Sequence, residues 1–549
     1  MHIASYAPWG AEGIIVRVEV DIRRGIPGVD ITGLADGAVR EARERVRAAF
    51  RNSGFAFPQD RVLVNLAPAG VRKEGAALDL PIALAILAAA GLAPSPAGLM
   101  ALGELELSGR VRGVRGVLAA ASAGLAEGIE GFIVPAENGG EALILAAGRT
   151  AAVSTLAEAA HALELRDKSG KLPAFETRPA GGEFSGSTSI GIGIGAGPGS
   201  GNRVATRLGL IESCGDFSHA RGQETYKRAL EIAAAGGHNL LAFGAPGAGK
   251  TMLARRLPGI MAPLDIQEAV AATRLHSLAG ALGPQEPLVS QPPFRSPHHS
   301  ASAEGMLGGG RSVRPGEISL AHFGVLFLDE APEYRLNVLR ALREPLEDGV
   351  ITIARADGST RLPADFQLIL AANPCPCGRL GKPSAACFCA ADEVERHWRR
   401  LGAALLDRIE LRVPLNPVSS GTPAGEGTGA SFGKVAETSA KVALRVEKAV
   451  AVQRLRFGSL GIRRNARLMP GLVERFCSLD APSRVAFDRA SELFGFSERA
   501  RDGILKVSRT IADLEGMDGI RLDHLLEAIQ HRRYGDDPYD VLAVGMPSI

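Results

Sequence analysis

An α/β protein with an all-helical C-terminal part is the fold class the sequence predicts, and three stretches carry that expectation. Residues 14–22 alternate strictly, with Val16, Val18, Val20 and Ile22 on one face and Arg17, Glu19 and Asp21 on the other, as in a half-buried strand. The apolar run 239–243 leads through a glycine-rich turn into a helix-period segment at 252–257, the strand–turn–helix order of a parallel α/β sheet. From Val435 to Tyr534 the pattern is helical throughout.

The chain has 549 residues, more than one core sustains, so several domains are expected. A formal net charge of +2 gives no whole-chain sign of a polyanion partner, so any basic surface must be local. Six cysteines are too few for a disulfide scaffold. The start, Met1-His-Ile-Ala-Ser-Tyr6, lacks the basic and apolar blocks of a signal peptide. The most apolar helix candidate, 80–93, contains Pro81 and is shorter than a bilayer requires. A cytoplasmic protein without a membrane segment is expected.

Residues 1–165 read as one α/β domain. After the strand at 14–22, Val39, Ala42, Val46, Ala49 and Phe50 share one face of a charged helix that ends before Gly54. A strand at 62–66 leads to Lys73-Glu-Gly-Ala-Ala-Leu-Asp-Leu80 and an alanine-rich helix, and strands are expected again at 102–107 and 131–138. Residues 166–214 read as a flexible linker, because Gly191-Ile-Gly-Ile-Gly-Ala-Gly-Pro-Gly-Ser-Gly201 offers nothing to bury.

The segment 215–415 carries the chemistry. Gly244, Ala245, Pro246, Gly247, Ala248, Gly249, Lys250 and Thr251 fill the eight positions of a phosphate-binding loop, with the required strand before it and helix after it. Glycines let consecutive N–H groups turn around a phosphate chain, and the helix adds its positive end. Lys250 would reach the outer phosphates and Thr251 would hold Mg²⁺, so ATP and Mg²⁺ are the expected cofactors. A second apolar strand, 324–328, ends in Asp329-Glu330, where Asp329 would serve Mg²⁺ and Glu330 would deprotonate the attacking water. A third, 366–372, ends in Asn373, placed as a sensor contacting the terminal phosphate or the attacking water. Arg408, in Leu405-Leu-Asp-Arg-Ile-Glu410, reads either as a surface ion pair or as a finger offered to a neighbouring subunit.

A second glycine-rich break, 416–434, precedes the helical domain 435–535, and a tail, 536–549, closes the chain. Ser497 caps a helix whose first turn holds Arg499, the candidate lid arginine that reaches nucleotide; Arg501 and Arg509 are weaker choices. Arg454, Arg456, Arg463, Arg464 and Arg467 form a basic run that reads as a DNA contact or a solvated face. Cys375, Cys377, Cys387 and Cys389 flank a short loop; the reading is open between a tetrahedral Zn²⁺ site and four packed thiols.

These residues carry two resemblances. The second half of the first domain resembles the proteolytic domain of Lon-type Ser-Lys peptidases, which implies a ribosomal S5 domain 2-like fold. Ala77 stands where the nucleophilic serine would be, and no lysine follows between Lys73 and Lys168, so acyl transfer is not expected. The phosphate loop, Asp329-Glu330, Asn373 and Arg408 resemble the AAA+ group of magnesium chelatase ATPase subunits and MCM helicases. Phe294-Arg-Ser-Pro-His-His299, Arg314-Pro-Gly-Glu-Ile-Ser-Leu-Ala-His322 and Asn373-Pro-Cys-Pro-Cys-Gly378 narrow the resemblance to the magnesium-chelatase-like competence-protein (ComM/YifB) family.

That resemblance implies a homo-hexameric ATPase and DNA helicase that drives branch migration on single-stranded or branched DNA during transformation, with recombination proteins as further partners. A chelatase-type or chaperone-like motor on a protein partner is the alternative. It also implies an insertion at about 282–315 and a hairpin at about 349–362, whose Arg295, Arg311, Arg314, Arg355 and Arg361 become the candidate phosphate contacts to DNA.

Overall fold

The computed structural model describes residues 1–33, 36–70, 73, 75–173, 214–220, 222–283, 287–310, 313–355, 358–382, 385–415, 437–458, 460–535 and 539. Most of the linker 166–214, the break 416–434 and nearly all of the tail 536–549 lie outside the described residues.

The first domain is a seven-stranded mixed sheet in the order β3-β4-β2-β1-β5-β8-β9. Its strands are β1 (His2–Ala7), β2 (Ile14–Arg23), β3 (Gly28–Thr32), β4 (Arg61–Ala67), β5 (Leu99–Ala101), β8 (Gly131–Pro135) and β9 (Thr150–Val153). Between β5 and β8 the short β6 (Glu104–Leu105) and β7 (Val111–Arg112) form a hairpin. The single strand expected at 102–107 is thus split, with Gly103 at φ +159° bonded to Ala77 O. Strand β2 runs antiparallel to both neighbours, as its alternation allows, and every other pairing is parallel.

The helix Asp79–Ala89 is apolar all round and buried from Asp79 to Ala88, which places it in the middle of this domain. Burying each leucine or isoleucine there contributes about 1.5–3 kcal/mol. Asp79 is the polar exception: Arg45 donates to it through Nε at 2.7 Å and Nη2 at 2.9 Å. Burial raises its pKa, and the Arg45 guanidinium opposes that rise. The last helix, Leu156–Ser169, continues past position 165, and Leu172 packs on the same core, so the first domain reaches into the segment read as linker.

The second domain holds a five-stranded, wholly parallel sheet in the order β11-β14-β17-β10-β18. Its strands are β10 (Leu240–Gly244), β11 (Phe294–Arg295), β14 (Val325–Leu328), β17 (Gln367–Ala372) and β18 (Leu411–Leu415). Every residue of β10, β14 and β17 is buried, the continuous apolar pattern of strands covered on both faces. The insertion expected at 282–315 therefore needs correction, because β11 belongs to the core sheet. Two small hairpins leave this sheet: β12 (Gly308–Gly309) with β13 (Arg314–Pro315), and β15 (Val350–Arg355) with β16 (Gly358–Pro363).

The helical C-terminal part shares one core with the sheet. Val442, Val446 and Ala449 of the helix Ser439–Phe457, and Ile504, Val507 and Ile511 of the helix Glu498–Leu514, pack with Ala229 and Ala233 of the helix Glu224–Gly236. The basic run turns out to be part of this bracket. Arg454 and Arg463 each reach the buried Glu268 at 3.0 Å, Arg456 reaches Asp513 at 2.6 Å, and Arg467 pairs with Asp365. Burial lowers the Arg464 pKa to about 10. Neither a DNA contact nor a solvated face describes these paired arginines: Arg454, Arg463 and Arg467 fasten the helical part to the α/β core, and Arg456 ties two helices of the helical part together.

The two α/β domains also touch. Ser277 Oγ donates to Glu141, and Leu278 enters the cluster of Tyr6, Met100 and Val117. Thr360 of β16 lies so close to Gly10 that a Cβ built there would stand 2.0 Å from Thr360 Oγ1. Among the described residues no helix is long and apolar enough to cross a membrane.

Candidate nucleotide site

The phosphate loop leaves β10 at Gly244 and enters the helix Lys250–Ala254. Gly247 at φ +84° and Gly249 at φ +88° take backbone angles that a side chain would resist. Below the loop, Tyr226 OH donates to Lys250 O at 3.2 Å and Gln223 Nε2 donates to Ala248 O at 3.2 Å. The residues that set the turn are thus braced by the helix 224–236 and the residue that precedes it.

Lys250 is buried. Its Nζ donates to Gly244 O at 2.5 Å, Ala245 O at 3.1 Å and Asn373 Oδ1 at 3.2 Å. Burial pulls its pKa down to about 8, with Asp329 and Glu330 opposing. The parallel sheet makes these meetings inevitable: β10, β14 and β17 are neighbours, and their C-terminal ends carry Lys250, Asp329 and Asn373 to one edge. Thr251 Oγ1 donates to Asp329 Oδ2 at 2.7 Å, so the hydroxyl and carboxylate that would share a divalent cation already face each other. The donor set fits Mg²⁺: hard oxygens, few of them, at an open edge.

Glu330 is exposed and holds φ +49°, one of three non-glycine residues with positive φ among those described. Such a conformation costs of order 1–3 kcal/mol and gathers at functional sites. His299 Nδ1 stands 4.0 Å from Glu330 Oε2, and its ring lies 4.0 Å from that of His298. Asn373 is held from behind by the helix Ala391–Arg399: His397 Nε2 meets Asn373 O at 3.2 Å and Trp398 Nε1 donates to Pro374 O at 2.9 Å. Burial lowers the His397 pKa, which favours the neutral ring. Sequence reasoning gave His299, His397 and Trp398 no role. For His299 a signal existed, the paired histidines at 298–299; for the other two there was only an apolar stripe on a charged helix.

Arg408 and Arg499 lie elsewhere. The strands enter the sheet at one edge and leave it at the other, and Arg408 sits at the entry edge, just before β18. Its carbonyl accepts from Asn239 Nδ2 at 2.9 Å, immediately before β10. Its guanidinium bonds Glu347, and Arg499 bonds the same Glu347. The six residues of β17 separate the two edges by about 20 Å at about 3.3 Å each. Arg499, expected to reach nucleotide from the lid, is therefore placed beside Arg408 and away from its own phosphate loop. Arg501 bonds Asp488 at 3.0 Å, and the buried Arg509 bonds Asp513.

The candidate DNA-contact arginines separate as well. Arg295 is paired with Glu317 through Nε at 2.7 Å and Nη2 at 2.8 Å within the core sheet, so it is not a projecting contact. Arg311 lies outside the described residues. Arg314 is exposed on β13, Arg361 is exposed on β16, and Arg355 ends β15 at the hairpin tip. The four clustered cysteines do come together: their sulfurs all lie within 4.8 Å of one another.

Comparison with known proteins bears on this arrangement. The family described as "Magnesium chelatase, subunit ChlI" matches residues 216–422, "Subunit ChlI of Mg-chelatase" matches 18–138, and "Magnesium chelatase, subunit ChlI C-terminal" matches 436–532. An uncharacterized protein of Mycobacterium tuberculosis is 39% identical over 97% of this chain and 98% of its own. The competence protein ComM of Haemophilus influenzae is 38% identical over 96% of this chain and 97% of its own. An uncharacterized YifB protein of Escherichia coli is 38% identical over 96% of each. With the phosphate loop, the paired acids and Asn373 at one sheet edge, the chain belongs to the magnesium-chelatase-like ComM/YifB family of AAA+ proteins.

Proposed function

We propose that this protein is an ATP-hydrolysing ring motor, a homo-hexamer that acts on single-stranded or branched DNA and promotes branch migration when incoming DNA is integrated, alongside recombination proteins. One observation carries the ring: within a single chain the phosphate loop and Arg408 occupy opposite edges of the sheet. A protomer is complete at its exit edge except for the cation that developing phosphoryl charge requires, and it presents two arginines at its entry edge. A neighbour's Arg408, with Arg499 beside it, would complete the site, and each protomer would do the same for the next.

Bound MgATP supplies the phosphoryl group and part of the charge screening. The loop amides of 245–250 would cradle the phosphates, Lys250 would leave the Gly244 and Ala245 carbonyls to meet them, and Thr251 with Asp329 would hold the cation. Glu330 would accept the water's proton, and Asn373 would orient that water. In the first domain, Ala77 offers no nucleophile, which supports a scaffold without peptidase chemistry.

For DNA, the support is the exposed Arg314 and Arg361 on hairpins leaving the sheet and the name of the Haemophilus relative. The magnesium chelatase family descriptions favour a second reading, a motor on a protein partner. ATPase rate measured with and without single-stranded and forked DNA, together with movement of a three-strand junction, separates the two. Stimulation and ATP-dependent junction movement are expected. An ATPase indifferent to every DNA and a static junction would leave the protein-partner motor.

A further inference from the structure

The cysteine group lies directly behind the sensing residue. Cys375 Sγ stands 3.4 Å from Cys377 Sγ and 3.7 Å from Cys387 Sγ, with 3.6 Å between the latter two. Zinc bound tetrahedrally by thiolates at about 2.3 Å would separate its sulfurs by about 3.8 Å. The group is therefore open enough to admit such an ion, and far too open for a disulfide, whose sulfurs stand about 2.05 Å apart. All four cysteines are free. The Leu380 amide approaches Cys375 Sγ at 3.5 Å, the direction from which amides support metal-bound thiolates.

Hydrophobic burial does not explain the loop's shape. Phe388, between two of the cysteines, is 84% exposed, and Pro376, Cys377 and Arg379 are exposed too. Yet the start of the loop is tied to the nucleotide site twice over. Cys375 is buried in the cluster containing Leu328 and Ala372, the strand ends that carry Asp329 and Asn373. Gly378, at φ +71°, rests on the phosphate loop: a Cβ there would stand 2.8 Å from Pro246 Cγ.

We propose that Cys375, Cys377, Cys387 and Cys389 bind one zinc ion, and that the metal-closed loop is a positioning element that sets Asn373 and presses Pro246 into place. Metal binding displaces the thiol protons and fixes a turn that has little core of its own. The assignment of a nucleotide role rests on the ATPase reading above; the metal assignment does not.

The test uses full-length protein purified without chelator or metal-affinity tag, with three readouts: zinc per chain by plasma emission, affinity for a fluorescent ATP analogue, and ATP turnover. About one zinc per chain is expected, and reconstitution with Co²⁺ should give the visible bands of a tetrahedral thiolate site. Release of the metal by a mercurial should lower turnover on the order of 10²-fold, as misplacing a water-orienting group does. Cys389→His keeps a zinc ligand and should retain both metal and turnover, whereas Cys389→Ser should lose both. Gly378→Ala keeps all four thiols and should retain zinc while weakening analogue binding. Metal-free protein would overturn the site. Zinc whose release leaves turnover and analogue binding unchanged, or Gly378→Ala with unchanged affinity, would overturn the coupling. If no nucleotide is hydrolysed by zinc-loaded protein, the ATPase reading fails while zinc content and analogue binding still decide this one.

Discussion

Lys250 rests on carbonyls that it must leave, and its charge is held in a site that disfavours it. Its folded pKa of about 8 lies below the ordinary 10.5, so between those values the unfolded chain binds more protons than the folded one. Stability of the nucleotide-free core should then rise as pH rises from about 8 towards 10.5 and be flat in this term below 8. Lys250→Met should abolish that rise, read as the urea midpoint at either end of the window, along with ATP-analogue binding. Glu330→Gln, by contrast, should bind the analogue normally and lose on the order of 10²–10⁴-fold in turnover, because only proton transfer is removed. Near-normal turnover would move the base elsewhere, and His299 with its carboxylate neighbour would be the next place to look. Lys250, Thr251, Asp329, Glu330 and Asn373 were legible in the sequence because each stands at a fixed offset from an apolar strand. His397 and Trp398 were not: they act through a helix that folds back onto Asn373, and no local spacing encodes that return.

At the scale of elements, the basic run shows how charge in a sequence is misread. Five arginines close together look like a surface for polyanions, but four of them find carboxylates distant in the chain, Glu268 taking two, and Arg464 is buried. Removing that shared carboxylate, as in Glu268→Ala, takes away Arg463's carboxylate partner, leaves Arg454 only Asp265 at 3.9 Å, and also opens the cap at Asp265. A loss of about 1–3 kcal/mol is expected in denaturant unfolding, below the value for a fully buried pair because solvent screens these guanidinium groups. Arg463→Ala should weaken the fold without changing DNA affinity. Arg361→Ala should do the opposite, lowering the salt slope of DNA binding by about one. Equal effects of the two on DNA binding would contradict the division of roles. The helical domain and the strands β2, β4 and β8 of the first sheet were readable from pattern, the hairpin at 350–363 came only from the family resemblance, and β1, β3, β5 and β9 went unread. The place of β11 was not readable either, because two residues cannot display a period.

For the whole molecule, the separation of the two sheet edges would, on the proposed ring reading, make activity a property of assemblies. Arg408→Ala should bind ATP and lose on the order of 10³-fold in hydrolysis. Mixing it with Lys250→Ala protein should restore part of the rate, since hybrid interfaces join an intact phosphate loop to an intact arginine. A mixture that stays inactive despite proven co-assembly would place Arg408 outside the site. Glu347, which holds both arginines, also neutralises part of their charge, so Glu347→Gln should make them easier to offer and alter the protein concentration at which turnover appears.

The contact between Thr360 and Gly10 carries a mechanical consequence. The hairpin that would engage a substrate bears directly on the first domain, with no room for even one methyl group between them. Should the proposed motor move that hairpin, the first domain would have to yield or travel with it against viscous drag. On that reading the first domain is in the position of an anvil: it gives the hairpin something to push against, and a bulky residue at position 10 is expected to jam the stroke while leaving ATP binding intact.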